Sequence, residues 1–268
     1  MQREPTVAGQ FYPGQAAELR RSVKDLLVID RPAHRSVLGL MAPHAGYVFS
    51  GAIAGRTISQ VKLPSTIVLL GPNHTGLGAP LAVFPPGCWS TPLGEAKVDD
   101  QLVEMIVERC SGATLDELAH RHEHSLEVLI PFIQVHSPHT TIVPICVGHL
   151  SLPELLEFGK SLGQLLAPLL PDVLLMASSD MTHFESAEKA RLRDMKALEK
   201  ILALDPEGLY QVVYDEKISM CGVLPTVVML TAARELKATQ ASLVQYGNSG
   251  DVTGNRSEVV GYAGVIIE

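Results

Sequence analysis

Six side chains in this sequence have types and neighbours suited to chemistry. His44 lies in Pro43-His44-Ala45-Gly46 and His74 in Pro72-Asn73-His74, while Asp180 and His183 lie in Ser178-Ser179-Asp180-Met181-Thr182-His183. Each follows a short apolar run, and turn-forming neighbours let a side chain project from a sheet edge. A single loop histidine is ordinarily just hydrogen-bonded, but histidines after three such runs are harder to dismiss. The segment His120-Arg121-His122-Glu123-His124-Ser125 adds three more in front of a helical stretch. His120 and His122 are expected to be solvated, whereas His124 adjoins the helix start, with Ser125 as its N-cap. Cys221, in Met220-Cys221-Gly222, precedes an apolar helical run with Pro225 in its first turn. A helix N-terminus there would favour the thiolate.

Two chemistries suit these residues. Two neutral imidazoles and one anionic ligand hold a divalent transition metal with positions left open. The rival is a nucleophilic Cys221 with a histidine base and an orienting aspartate. Histidines on separate strands lean toward the metal, and spacing alone leaves both readings open. Cys110 and Cys146 are expected to be buried small hydrophobes, and Cys88, beside Trp89, carries no functional signal.

The elements that must position these residues are legible in part. Val37–Met41, Thr66–Leu70, Thr141–Val147 and Val173–Ala177 are continuous apolar runs, the pattern of strands covered on both faces. Leu102, Met105, Ile106 and Cys110 form a helical stripe behind Asp99 and Asp100, and Leu192 to Leu202 forms another. Leu152–Leu166 and Val223–Leu236 are further helices. Leu126–Val135 has helical spacing, but Pro131 implies a late start or a kink. Ser242–Tyr246 and Val259–Ile267 are strand-like around a turn at Gly247–Asn255. Strands alternating with helices predict an α/β fold, a three-layer αβα sandwich forming a single domain over residues 1–268. In such sheets ligands collect at the carboxyl ends of the strands.

Composition narrows the function. A chain of 268 residues can bury about 73% of its extended surface, so the core needs no disulfide or structural metal. Lys plus Arg number 21 against 29 Asp plus Glu, a formal charge of −8 with no basic run, which argues against nucleic-acid binding. The four cysteines are scattered, without CxxC, as expected of reduced thiols in the cytoplasm. No signal peptide is evident at the N-terminus. The most apolar stretch, Leu162–Ala177, is broken by Pro168, Pro171 and Asp172, so no membrane span is expected. No nucleotide-cofactor signature stands out.

REPTVAGQFYP at Arg3–Pro13, APHAGYVFSG at Ala42–Gly51, LLGPNHTG at Leu69–Gly76 and EHSLEVLIPF at Glu123–Phe132 resemble the Memo family. SSDMTHF at Ser178–Phe184, MCGVLP at Met220–Pro225 and YGNSGDVTGNRSEVVGYAGV at Tyr246–Val265 extend the resemblance, in family order, over nearly the whole chain. Bacterial and archaeal members are called the B component of the AmmeMemoRadiSam system. The family is similar in fold to class III extradiol (LigB-like) dioxygenases, non-heme iron enzymes that hold iron with two histidines and a glutamate. The resemblance implies a His/His/Cys metal site at His44, His74 and Cys221, with His124, Asp180 and His183 as pocket neighbours in the catalytic role. Asn255 stands where the family commonly has Asp, which removes a charge but keeps a turn role.

The implied activity is a metal-dependent, dioxygenase-like oxidoreductase using Fe(II), or copper, which thiolate ligation favours. His124 or His183 would act as general acid or base, and Asp180 would orient an imidazole or bind substrate. The alternative is a non-catalytic docking module. It would act with the radical-SAM and AMMECR-like proteins of the same system, or bind phosphopeptides as eukaryotic relatives linked to cell motility do. The absence of an Arg cluster speaks against the phosphopeptide.

Overall fold

The computed structural model describes residues 1–27 and 37–268. Its centre is a mixed sheet of nine strands among the described residues. In the middle, β2 (Gly39–Ala42), β9 (Val173–Ser178), β3 (Thr66–Pro72) and β8 (Thr141–Val147) lie side by side in parallel. Every residue of β2, β3 and β9 is buried. Two covered faces explain why these runs show no polar alternation. On one flank β4 (Leu81–Val83) pairs antiparallel with β8 and parallel with β7 (Thr114–Leu115). On the other, β12 (Val259–Ile267) is antiparallel to β2, and it also pairs with β10 (Asp180–Glu185) and β11 (Ala241–Asn248). A small second sheet joins β1 (Gln2–Arg3), β5 (Cys88–Thr91) and β6 (Gly94–Lys97).

Helices cover both faces. α2 (Tyr47–Ser59) packs on β2, β11 and β12, with α1 (Ala16–Leu26) and α4 (Ile130–His136) against it. α8 (Val223–Glu235) packs on β2, β3, β8 and β9, backed by α5 (Leu152–Leu166) and α7 (Pro206–Asp215). α6 (Ala187–Leu202) covers β10 and β12, α3 (Asp100–Arg109) lies beside α5, and α9 (Gly250–Thr253) occupies the turn before β12. Strand alternation puts α2 and α6 on opposite faces. In β12, Gly264 is pressed against Thr57 of α2, and Gly261, three residues earlier, against Asp194 of α6. α8 is apolar nearly all round, and most of its residues are buried between the sheet and the outer helices.

The expected α/β architecture is the one observed. β8 and α5 begin and end where the sequence placed them. Asp99 caps α3, accepting from the Leu102 N–H at 3.0 Å. Pro131 sits in the first turn of α4, after a 3₁₀ turn at Glu127–Leu129, so the helix starts late. Three readings are corrected. Ser125 does not cap this helix; its hydroxyl donates to the Pro72 carbonyl instead. The Asp180–His183 stretch is no turn but the start of β10. The turn at Gly247–Asn255 contains α9, after which Asn255 Oδ1 accepts from Ser257 N–H at 2.9 Å and keeps the turn role.

The N-terminal strand is tied to the centre by a buried ion pair. Glu127 is fully buried and accepts from Arg3 Nη1 at 2.8 Å, Tyr12 Oη at 2.7 Å and the N–H groups of Thr6 and Val7. Burial alone would raise its pKa, but Arg3 and these donors hold it below the ordinary carboxylate value. Arg3 lies 4.0 Å over the Trp89 ring and donates to the carbonyls of His120 at 2.7 Å and Glu123 at 2.6 Å. Arg3→Met should therefore cost about 3 kcal/mol in urea unfolding, because it strands a buried charge. Adding Glu127→Met should recover part of that loss.

Candidate metal centre

The carboxyl ends of β2 and β3 deliver His44 and His74 to one point, and Cys221 reaches it from the loop before α8. The three side chains each offer a ligand atom, and these atoms lie within 4.8 Å of one another. Bonds of about 2.0–2.3 Å to a common ion put ligand atoms about 3–4 Å apart, so shifts below an ångström close the set. Cys221 Sγ is 3.4 Å from His44 Nε2 and accepts from the Asp180 N–H at 3.3 Å. Gly222 makes this approach available, since a Cβ there would collide with the Ser178 carbonyl and Ser179.

Hydrogen bonds fix which ring nitrogen of each histidine is free. The Ser178 hydroxyl donates its proton to the Ser125 carbonyl at 2.7 Å. His44 Nδ1, 2.7 Å from the same oxygen, must therefore be the donor, which leaves Nε2 as a bare lone pair. His74 Nδ1 donates to Glu123 Oε1 at 2.8 Å, again leaving Nε2. Glu123 also accepts from the His74 N–H at 2.6 Å and the Ser125 N–H at 2.9 Å. Carboxylate–histidine pairs of this kind orient metal ligands and raise their basicity.

Burial lowers the His44 pKa well below its ordinary value, helped by the neighbouring His124 and His74. For His74, burial works downward but the Glu123 hydrogen bond and charge prevail and raise it. Glu123 shows the converse: burial pushes up, while His74 and the N–H donors bring it to about 2. Burial and the Asp180 charge push the Cys221 thiol up, which disfavours the expected helix-terminus thiolate. The donor set is then two imidazoles oriented through Nδ1 and a thiol whose deprotonation a positive charge would favour, which fits a bound metal ion.

The other expected residues divide. His124 joins the cluster, stacked on His74 with ring centroids 4.8 Å apart and 5.5 Å from the His44 ring. Burial lowers its pKa. Asp180 Oδ1 accepts from the backbone N–H groups of His44 at 2.8 Å and Ala45 at 3.3 Å, so it holds main chain, not an imidazole ring. Burial pushes its carboxyl up to about 6. His183 Nδ1 donates to the Ser219 carbonyl at 2.9 Å, and the residue lines the cleft beside the cluster. That cleft holds about 620 Å³ and also takes in Asp180 and His124.

Asp180 and His183 reach one cleft only because β10 is irregular. Three residues of β10 from Asp180 to His183 span two of β12, and two from His183 to Glu185 span one. Each extra residue reverses the alternation, the way bulges re-aim side chains beside functional sites.

One loop reading is corrected. His120 is fully buried, not solvated: its Nε2 lies 3.0 Å from the Ala82 carbonyl and its Nδ1 3.3 Å from Cys146 Sγ. His122 is exposed, as expected. Glu123, Ser178 and Phe184 were not singled out. Glu123 stood in the histidine-rich segment, but only the fold brings that segment against the His74 loop.

A family model described as Memo-like protein matches residues 3–266. The chain is 41% identical to a MEMO1 family protein of Methanosarcina barkeri, covering 99% of this chain and 100% of that one. It is 41% identical to one of Aquifex aeolicus, with 98% of both chains covered, and 38% identical to one of Methanopyrus kandleri, with 99% of both covered. The crystal structure of an uncharacterized protein from Escherichia coli K12 superimposes with a TM-score of 0.54 at 16% identity. It covers 87% of this chain and 100% of that one, a likeness of fold alone. An α/β protein with a cluster of candidate metal ligands at its strand ends is the class so defined. The chain belongs to the Memo family.

In metal-free protein, imidazole NMR should find His74 titrating above the ordinary value of 6.5, with His44 and His124 below it. Glu123→Gln should drop His74 below 6.5. The sign for stability follows from linkage. A raised His74 stabilises the fold below pH 6.5 and loses that effect as pH rises through its folded pKa. A depressed Glu123 stabilises above pH 4.5 and loses that effect toward about 2. The stability gap between native protein and Glu123→Gln should therefore be widest between pH 4.5 and 6.5.

Proposed function

We propose that this protein is a metal-dependent, dioxygenase-like oxidoreductase in which His44, His74 and Cys221 hold Fe(II), with copper as the alternative ion. The observation that carries this reading is the orientation of both histidines: Ser178 and Glu123 each occupy Nδ1, which leaves Nε2 of each ring for an ion, in a set with Cys221 whose ligand atoms lie within 4.8 Å of one another. Three protein ligands would leave positions open for other molecules. The bound ion would supply redox chemistry and polarisation of a coordinated oxygen.

The chain's own residues do the rest. His124, neutral at pH 7 because burial lowers its pKa, accepts a proton from a substrate hydroxyl brought against the cluster. His183 keeps Nδ1 on the Ser219 carbonyl, so Nε2 is its proton-exchanging atom, and it lines the cleft from the β10 side. Asp180 anchors the His44 backbone and, through its own N–H, the Cys221 sulfur. It acts as a positioning residue.

The nucleophilic-cysteine reading has less support. Cys221 and His44 are 3.4 Å apart, but burial raises the thiol and lowers the imidazole, which disfavours the thiolate–imidazolium pair. The His44 ring is also oriented by Ser178, not by a carboxylate.

Elemental analysis of protein purified without oxygen tests the proposal. About one iron or copper per chain is expected from three ligands on one ion, with Cys221→Ser and His44→Ala losing it. Glu123→Gln should weaken affinity about 10–100-fold. Absence of metal after reconstitution with both Fe(II) and Cu(I) would overturn the assignment.

A further inference from the structure

Phe184 is an outlier on several counts. It falls within the second bulge of β10, its φ is 59°, and it is 76% exposed. A non-glycine residue at positive φ is strained, and an aromatic one in water forgoes its apolar burial. Glycine would relieve the strain, and a polar residue would suit the exposure. Phe184 lines the same cleft as His124 and His183, with Phe11 and the 40%-exposed Phe49 also in the lining.

Apart from the histidines His124 and His183, the ionisable lining has one sign. Asp180 and Glu258 are its carboxylates, and neither Lys nor Arg contributes to it. Glu258 has no ion-pair or hydrogen-bond partner among the described residues, whereas the neighbouring rim groups Ser249 and Asn255 spend theirs within the rim. A volume of about 620 Å³ is that of a small-molecule site, not a peptide groove.

We infer that the cleft takes a small aromatic ligand carrying a protonated amine. The ring lies among Phe11, Phe49 and Phe184, the ammonium is paired with the rim carboxylate of Glu258, and Phe184 is the specificity-determining cover. Aromatic faces attract both a stacked ring and a nearby cation. The same lining repels carboxylate and phosphate groups on the part of a ligand that extends away from the His/His/Cys cluster. The inference rests on this cleft being the substrate's route to the proposed metal.

Calorimetric titration of the chelator-stripped and the metal-loaded protein with phenethylamine, 3-phenylpropionate and O-phospho-L-tyrosine tests it. On the stripped protein the amine should bind at least about tenfold tighter than either acid, and Glu258→Gln should weaken it about fivefold, the scale of one exposed charge contact. Phe184→Ala should weaken it by a similar factor. Phe184→Gly should do so without lowering the thermal midpoint, since glycine accepts the positive φ. Tighter binding of an acid, no binding of the amine, or amine binding indifferent to Glu258 and Phe184 would overturn the inference. Metal content measured on the same samples separates the two claims: amine binding by a protein that takes up no metal removes the metal reading alone, and metal uptake without amine binding removes this one.

Discussion

Glu123 is a carboxylate with no exposed surface, and its survival as an anion inside the protein depends on the groups around it. It accepts from the His74 ring, the His74 N–H and the Ser125 N–H, and these three bonds define where the His74 loop can lie. The segment bearing Glu123 is itself pinned by Arg3, which donates to the carbonyls of His120 and of Glu123 itself and pairs with Glu127 four residues on. The N-terminal strand thus reaches the candidate metal centre through a continuous chain of charged hydrogen bonds, from Arg3 to the Glu123 segment to His74. If Glu123 moved, His74 would lose both its tautomer and its backbone anchor.

His44 is held differently. Its ring is set by a neutral relay, Ser178 to the Ser125 carbonyl, and its backbone by Asp180. The two relays meet at Ser125, whose N–H serves Glu123, whose carbonyl serves Ser178 and whose hydroxyl bonds the end of β3. Sequence reasoning took Ser125 for a helix cap, the commonest use of serine before a helical stretch. Its actual use requires β3, β9 and the histidine-rich segment to converge, and a pairing so distant in sequence leaves no local pattern.

What was legible had a local cause. Continuous Val, Ile and Leu runs betray doubly covered strands, so β3, β8 and β9 stood out; amphipathic spacing betrayed α3 and α6, and composition and length betrayed α5. α2 was not, because its glycines and all-round burial suppress the helical stripe. The site followed the same division. His44, His74 and Cys221 could be proposed from their places after strands and before a helix, while Glu123 and Ser178 act on ring nitrogens across the fold. His120 was misjudged because charged neighbours imply solvent, and Arg3 cannot be seen from sequence to cover it. β10 was taken for a turn because its bulges break the strand period that would have revealed it.

The electrostatics of the cluster bear on the kind of occupant it would stabilise. His44, His74 and His124 stand with ring centroids about 5 Å apart, so a proton on one opposes a proton on the next. Burial adds to this and prevails at His44 and His124, whereas at His74 the Glu123 hydrogen bond and charge, with Asp180 behind them, outweigh it. Cys221 meets the reverse bias, with burial and the Asp180 carboxylate both resisting its negative charge. A proton on His44 or His124 and a bare thiolate on Cys221 are therefore disfavoured, although the His44 ring and the Cys221 sulfur stand 3.4 Å apart. A proton at any one of them offsets only that group. A single metal cation among them would relieve the cost of the thiolate, draw on both imidazoles, and place its charge beside the Glu123 and Asp180 carboxylates.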